Sequence, residues 1–112
     1  MKDILAKSLL KKIERLEAFE ERLNVRFENI SLKVDDDGWV IVFFELHTNK
    51  STIIEEIIKI ECIAYDINGQ ILEVVYNYAF PDKFFGFEVY KFSFQEDGIA
   101  DKINKLRLYP KL

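Results

Sequence analysis

Residues 25–46 read VRFENISLKVDDDGWVIVFFEL, and their hydrophobic spacing decides the fold class. Val25 and Phe27 alternate with Arg26 and Glu28, the period of two that belongs to a half-buried strand. Ile30, Leu32 and Val34 resume the alternation after a one-residue slip at Asn29, which is how a β-bulge registers in a sequence. Asp35-Asp36-Asp37-Gly38 is a turn. The run from Trp39 to Phe44 is apolar at both phases, so the strand over residues 39–46 is expected to be central and covered on both sides.

Downstream the period stays at two. Ile58, Ile60, Cys62 and Ala64 point one way, with Lys59 and Glu61 the other. Asp66-Ile67-Asn68-Gly69 closes a hairpin, its glycine suited to positive φ. Leu72, Val74, Tyr76 and Tyr78 share one face of the return strand, which Pro81-Asp82 ends. Phe85, Phe87 and Val89 open the next strand, with Tyr90, Phe92 and Phe94 on its other face. Glu96-Asp97-Gly98 turns the chain, residues 99–102 suit a single helical turn, and a last strand is expected over 103–109, stopped by Pro110. A loop is expected over residues 48–51.

Upstream the period is helical. Leu5, Leu9, Ile13, Leu16, Phe19 and Leu23 recur in steps of three and four, with Asp3 placed to cap. A helix over residues 3–23 follows, interrupted on its apolar seam by Glu20. The expected organisation is therefore an N-terminal amphipathic helix in residues 1–24 and an antiparallel β-domain in residues 25–112. The fold class is mainly β, a sandwich of about six or seven strands with one N-terminal helix; a curled α+β sheet packed on a helix is the alternative.

The segment from Trp39 to Asp66 resembles the bacterial immunoglobulin-like FxLYD domains. In these a strand ending in Tyr-Asp precedes a glycine-containing turn and an outgoing strand, as in Ala64-Tyr65-Asp66-Ile67-Asn68-Gly69-Gln70-Ile71-Leu72. Cys62 and Ala64 stand where the motif carries Phe and Leu. The resemblance implies an immunoglobulin-like sandwich of about seven strands, no enzymatic activity and an adhesive or scaffolding role; it brings no functional residues with it.

With 112 residues the chain has room for one core, and its apolar fraction of 49 % is that of a folded domain. A net charge of -4 argues against a nucleic-acid partner, which would draw its affinity from Lys and Arg. No stretch approaches the roughly 20 apolar residues of a membrane span, and residues 1–23 do not read as a secretory signal; the chain reads as cytoplasmic. His47 and Cys62 are its only histidine and cysteine. One of each is too few for a structural zinc site or for a triad with a second histidine, so no metal, cofactor or enzymatic activity is expected. The aspartates before Gly38 lack the alternate spacing of a calcium loop.

The distinctive feature is aromatic density from Tyr76 to Phe94. Not all of these rings fit on one buried face, and a surplus suits a protein interface or a homodimer. The candidate interface residues are Leu9 and Leu16 on the helical stripe and Phe80, Phe84, Phe85 and Phe87 around the loop. The expected function is a non-catalytic protein-binding or scaffolding module that self-associates. A small apolar-ligand domain is the alternative, with Trp39, Phe43, Tyr76 and Tyr78 lining a cavity.

Overall fold

A computed structural model describes residues 2–50 and 52–112; Ser51, the end of the expected 48–51 loop, lies outside them, as does Met1. The chain runs α1 (Lys2–Leu10), β1 (Ile13–Arg15), α2 (Glu17–Arg22), β2 (Val25–Val34), β3 (Val40–Thr48), β4 (Ile58–Tyr65), β5 (Ile71–Ala79), β6 (Phe87–Phe94), α3 (Ile99–Lys102) and β7 (Lys105–Lys111). The strands form two sheets, β1-β7-β4-β5 and β2-β3-β6. The expected mainly β sandwich with an N-terminal helix is what the chain adopts.

The helical stripe does not make one helix. Helix α1 ends where the Lys12 amide donates back to Leu9 at 2.9 Å. The chain then lays down β1 parallel to β7, pairing Ile13 with Leu106 and Arg15 with Leu108. Residues 13–15 thus belong to the sandwich, and the expected division at residue 24 does not separate a helix from a β-domain. The edge of β7 would otherwise face water unpaired, and covering it outweighs the local helical preference.

The bulge lies where the alternation slips: the β2–β3 register shifts between Glu28 and Ser31, with Asn29 at φ 53. The two Asp-x-x-Gly hairpin turns are built alike. Asp35 Oδ1 accepts the Asp37 and Trp39 amides, each at 2.9 Å. Asp66 Oδ1 accepts those of Asn68 and Gln70, each at 2.9 Å. Gly38 and Gly69 close the two turns at φ 80 and φ 78. The Asp35 turn is thus hairpin chemistry, with Asp36 paired to Lys2.

Strand β7 begins and ends two residues later than expected and contains Pro110 instead of stopping at it. Leu106 and Leu108 turn their backbone toward β1: the Leu106 amide donates to Lys12 and Leu108 accepts from Leu16. Pro110 has the same orientation but lies beyond the end of β1, so no ladder bond is lost by its missing N–H.

The core fills the space between the sheets. Val40, Val42, Phe44 and Leu46 of β3 face Ile60, Cys62 and Ala64 of β4, joined by Phe92, Phe94, Leu106 and Leu108. Phe44 is the aromatic hub, edge-on to Phe27 at 5.2 Å and stacked near Tyr90 at 5.6 Å. β3 is central, as expected. Its outer face is only partly covered, with Ile41 buried and Phe43 half-buried.

Candidate interaction surface

The six candidate residues separate by burial. Leu9 and Phe84 are 0 % exposed; both are core residues and offer nothing to a partner of the folded chain. Leu9 faces inward because α1 packs on β2, and Phe84 is the one ring of the 80–86 loop that joins the core cluster. Leu16 is half-buried between β1 and α2. Phe80, Phe85 and Phe87 are 41, 78 and 54 % exposed and remain accessible.

These three rings divide between two outward surfaces: Phe80 continues the outer face of β5, and Phe87 lies on the outer face of β6, in the opposing sheet. On β4, Ile60, Cys62 and Ala64 point into the core, so Lys59, Glu61 and Ile63 point outward, and so do their β5 partners Tyr78, Tyr76 and Val74. Tyr76 lies edge-on to Tyr78 at 5.8 Å, and Tyr78 is followed by Phe80 at 6.1 Å, giving a three-ring ladder. The Lys59 ammonium sits 4.6 Å from the centre of the Tyr76 ring. Period-two spacing already put Tyr76 and Tyr78 on one face; which face points outward depends on the sheet order, and that is not a local property.

On the other sheet, Tyr90, Phe92 and Phe94 enter the core, leaving Phe87 and Val89 outside. Gly86, at φ 106, makes the reversal between the buried Phe84 and the outward Phe85 and Phe87. Its carbonyl accepts the Thr48 amide at 3.0 Å, which fixes the loop against the end of β3. Phe87 stacks on His47 at 5.2 Å. His47 is paired in turn, its Nε2 lying 2.8 Å from Glu45 Oε1. That hydrogen bond, with a second from Asn29, holds the Glu45 carboxyl below the usual carboxylate range.

The other chemistry-bearing groups do not converge. Cys62 is fully buried, and burial pushes its thiol well above the ordinary range. Among the described residues no group of three or more His, Cys, Asp or Glu is placed to hold a metal ion. Glu55 and Glu56 border an open cleft of about 480 Å³ at the end of the sandwich, across from Arg22 and Lys50. Phe43 lies on the outer face of β3 and Tyr76 and Tyr78 on the outer face of β5, on opposite sides of the sandwich. The residues expected to line an apolar cavity therefore do not share one. No helix among the described residues is long and apolar enough to cross a membrane. Comparison of the chain with protein-family models, curated proteins and solved structures gives no match.

Proposed function

We propose that this chain is a non-catalytic protein-binding module that associates with itself through the aromatic outer face of β5. One observation carries the reading: Val74, Tyr76, Tyr78 and Phe80, at alternate positions along β5 and just past its end, are 40, 57, 39 and 41 % exposed on the outer face of one sheet. Single exposed apolar residues are ordinary, but four at alternate positions on one outer face form a patch of the kind that association buries. Rings of this size contribute about 1.5–3 kcal/mol each when fully removed from water. Tyrosine and phenylalanine also order at low conformational cost, which is why interfaces favour them. The likeness to FxLYD domains supports the same reading through the scaffolding role it implies.

Sedimentation velocity across micromolar concentrations tests the proposal. Wild-type chain is expected to gain mass with concentration, and Tyr76→Ser combined with Phe80→Ser to weaken that gain without loss of the folded spectrum. A strict monomer at every concentration overturns the self-association.

A further inference from the structure

We infer that association proceeds by antiparallel pairing of β5 with the β5 of a second copy, centred on Val75, extending each four-stranded sheet into one of eight. This rests on the self-association proposed above and specifies its geometry.

Among the described residues the sandwich has four edge strands, and three are guarded. β1 is only 3 residues long. β2 is bulged at Asn29, carries Arg26, Glu28 and Lys33, and is packed by α1. β6 presents Glu88 and Lys91. β5 runs 9 residues, ILEVVYNYA, without proline or lysine. Its one charge, Glu73, is turned aside to accept the Gln95 and Glu96 amides at 2.9 and 3.0 Å. The β5 register on β4 shifts only at Leu72, near the start of the strand, and long edges with little charge are what proteins ordinarily avoid leaving open, because their free N–H and C=O groups template another strand.

The direction of those groups follows from the ladder. The Tyr65 carbonyl accepts the Asn104 amide at 2.8 Å, on the β7 side. By alternation Ile63, Glu61 and Lys59 also turn their backbone toward β7, leaving Ile60, Cys62 and Ala64 to bond β5. The β5 partners of the first set, Val74, Tyr76 and Tyr78, must then direct their N–H and C=O groups to the open edge. Tyr78 bears this out: its amide donates to its own neighbour Asn77 Oδ1 at 2.8 Å instead of to β4.

Register follows from self-complementarity. Outward backbone groups must meet outward ones, which restricts the pairing to alternate registers. With Val75 on the two-fold axis the strands overlap over residues 73–77, the regular stretch beyond the register shift at Leu72, and Val74 stands opposite the partner's Tyr76. These are hydrogen-bonded pairs of a β-branched residue with an aromatic one, a favourable cross-strand combination. On the other face Glu73 meets the partner's Asn77, so the only carboxylate of the strand meets an amide and no like charges oppose. The Tyr76–Tyr78 ladder continues across the axis. Isologous pairing of this kind closes at two copies, because each β5 edge is used once.

The test combines sedimentation with directed cross-linking. Cys62 lies beside Val75 in the β4–β5 register, so the probes are placed in a Cys62→Ala background. Mild oxidation of the Val75→Cys chain is expected to give a disulfide-linked dimer, since directly opposed residues without mutual hydrogen bonds lie about 4.5 Å apart at Cα. The Asn77→Cys chain, whose two copies are four residues out of register, is expected to give none. Val74→Lys, a surface change, is expected to weaken dimerisation at least tenfold, and Val74→Pro to do the same by removing an N–H that β4 does not use. A concentration-dependent dimer that survives Val74→Lys, or that cross-links through Asn77→Cys and not Val75→Cys, overturns the β5 pairing and leaves the aromatic-surface module standing. A wild-type chain that never dimerises overturns both.

Discussion

The Glu20 carboxylate, 3 % exposed, is gripped by the Arg15 guanidinium at 2.6 and 3.2 Å and takes the Phe27 backbone amide at 3.0 Å. Arg15 closes β1, Glu20 lies in α2 and Phe27 in β2, so one carboxylate ties the N-terminal segment to both sheets. The pairing also explains the interrupted helix. Residues five apart on a continuous helix point about 140° away from one another and cannot meet, whereas three or four apart they can. The chain must leave helical geometry between Arg15 and Glu20 for this bond to form.

Glu20→Ala is therefore expected to destabilise the fold by about 2–4 kcal/mol, since it strands the buried Phe27 amide and unpairs Arg15. The Arg15 side chain is 35 % exposed, and water reaching it keeps the cost below that of a fully buried pair. Glu20→Gln retains an acceptor for Phe27 and is expected to cost less. Urea unfolding of the three chains measures the order, and equal stability of wild type and Glu20→Ala would remove this bond from the list of fold determinants.

How much of this was legible in the sequence depends on whether the signal was local. Both Asp-x-x-Gly turns, the slip at Asn29 and the shared phase of Tyr90, Phe92 and Phe94 are written in adjacent residues, and the structure follows them. The break after Leu10 is not local: steps of three and four from Leu9 to Leu16 satisfy a helix, and only the distant edge of β7 makes a strand the better use of Ile13. Its one trace was Glu20, an acid on an otherwise apolar seam, whose partner could not be named without the fold. In the 80–86 loop no period applies, so nothing distinguished the buried Phe84 from the exposed Phe85.

The twin turns predict a matched pair of small effects. Asp66→Ala removes the acceptor for two amides in an exposed turn and is expected to cost about 1 kcal/mol, as is Asp35→Ala. Gly69→Ala meets nothing within 4 Å, so its cost is backbone strain at positive φ alone, about 1 kcal/mol. Thermal melts of the single variants check this, and a loss of several kcal/mol at either aspartate would assign that turn a role beyond closing its hairpin.

Cys62 is expected to be inert while the chain is folded. Its side chain is 0 % exposed and burial favours the protonated thiol over the reactive thiolate. A chromogenic disulfide reagent at neutral pH should therefore modify it only as fast as the protein unfolds, with full reaction in denaturant. Rapid stoichiometric modification of native protein contradicts the placement of β4 in the core.

Alkaline pH should unfold the protein through two of its tyrosines. Burial is the leading cause that pushes the Tyr90 and Tyr109 phenols above their ordinary range, with hydrogen bonds to Glu88 and Glu61 acting in the same direction. In the unfolded chain both ionise near pH ~10. Above that pH the unfolded state has lost protons that the native state keeps, so stability, fully present below pH ~10, declines as pH rises, by at most about 1.4 kcal/mol per pH unit for each phenol. Tyr90→Phe and Tyr109→Phe are each expected to flatten the decline, Tyr109→Phe also freeing Glu61 from its hydroxyl partner. Absorbance at phenolate wavelengths, followed together with far-ultraviolet ellipticity, reads both events. A wild-type chain whose five tyrosines have all ionised before any ellipticity is lost would mean that neither phenol is held by the fold.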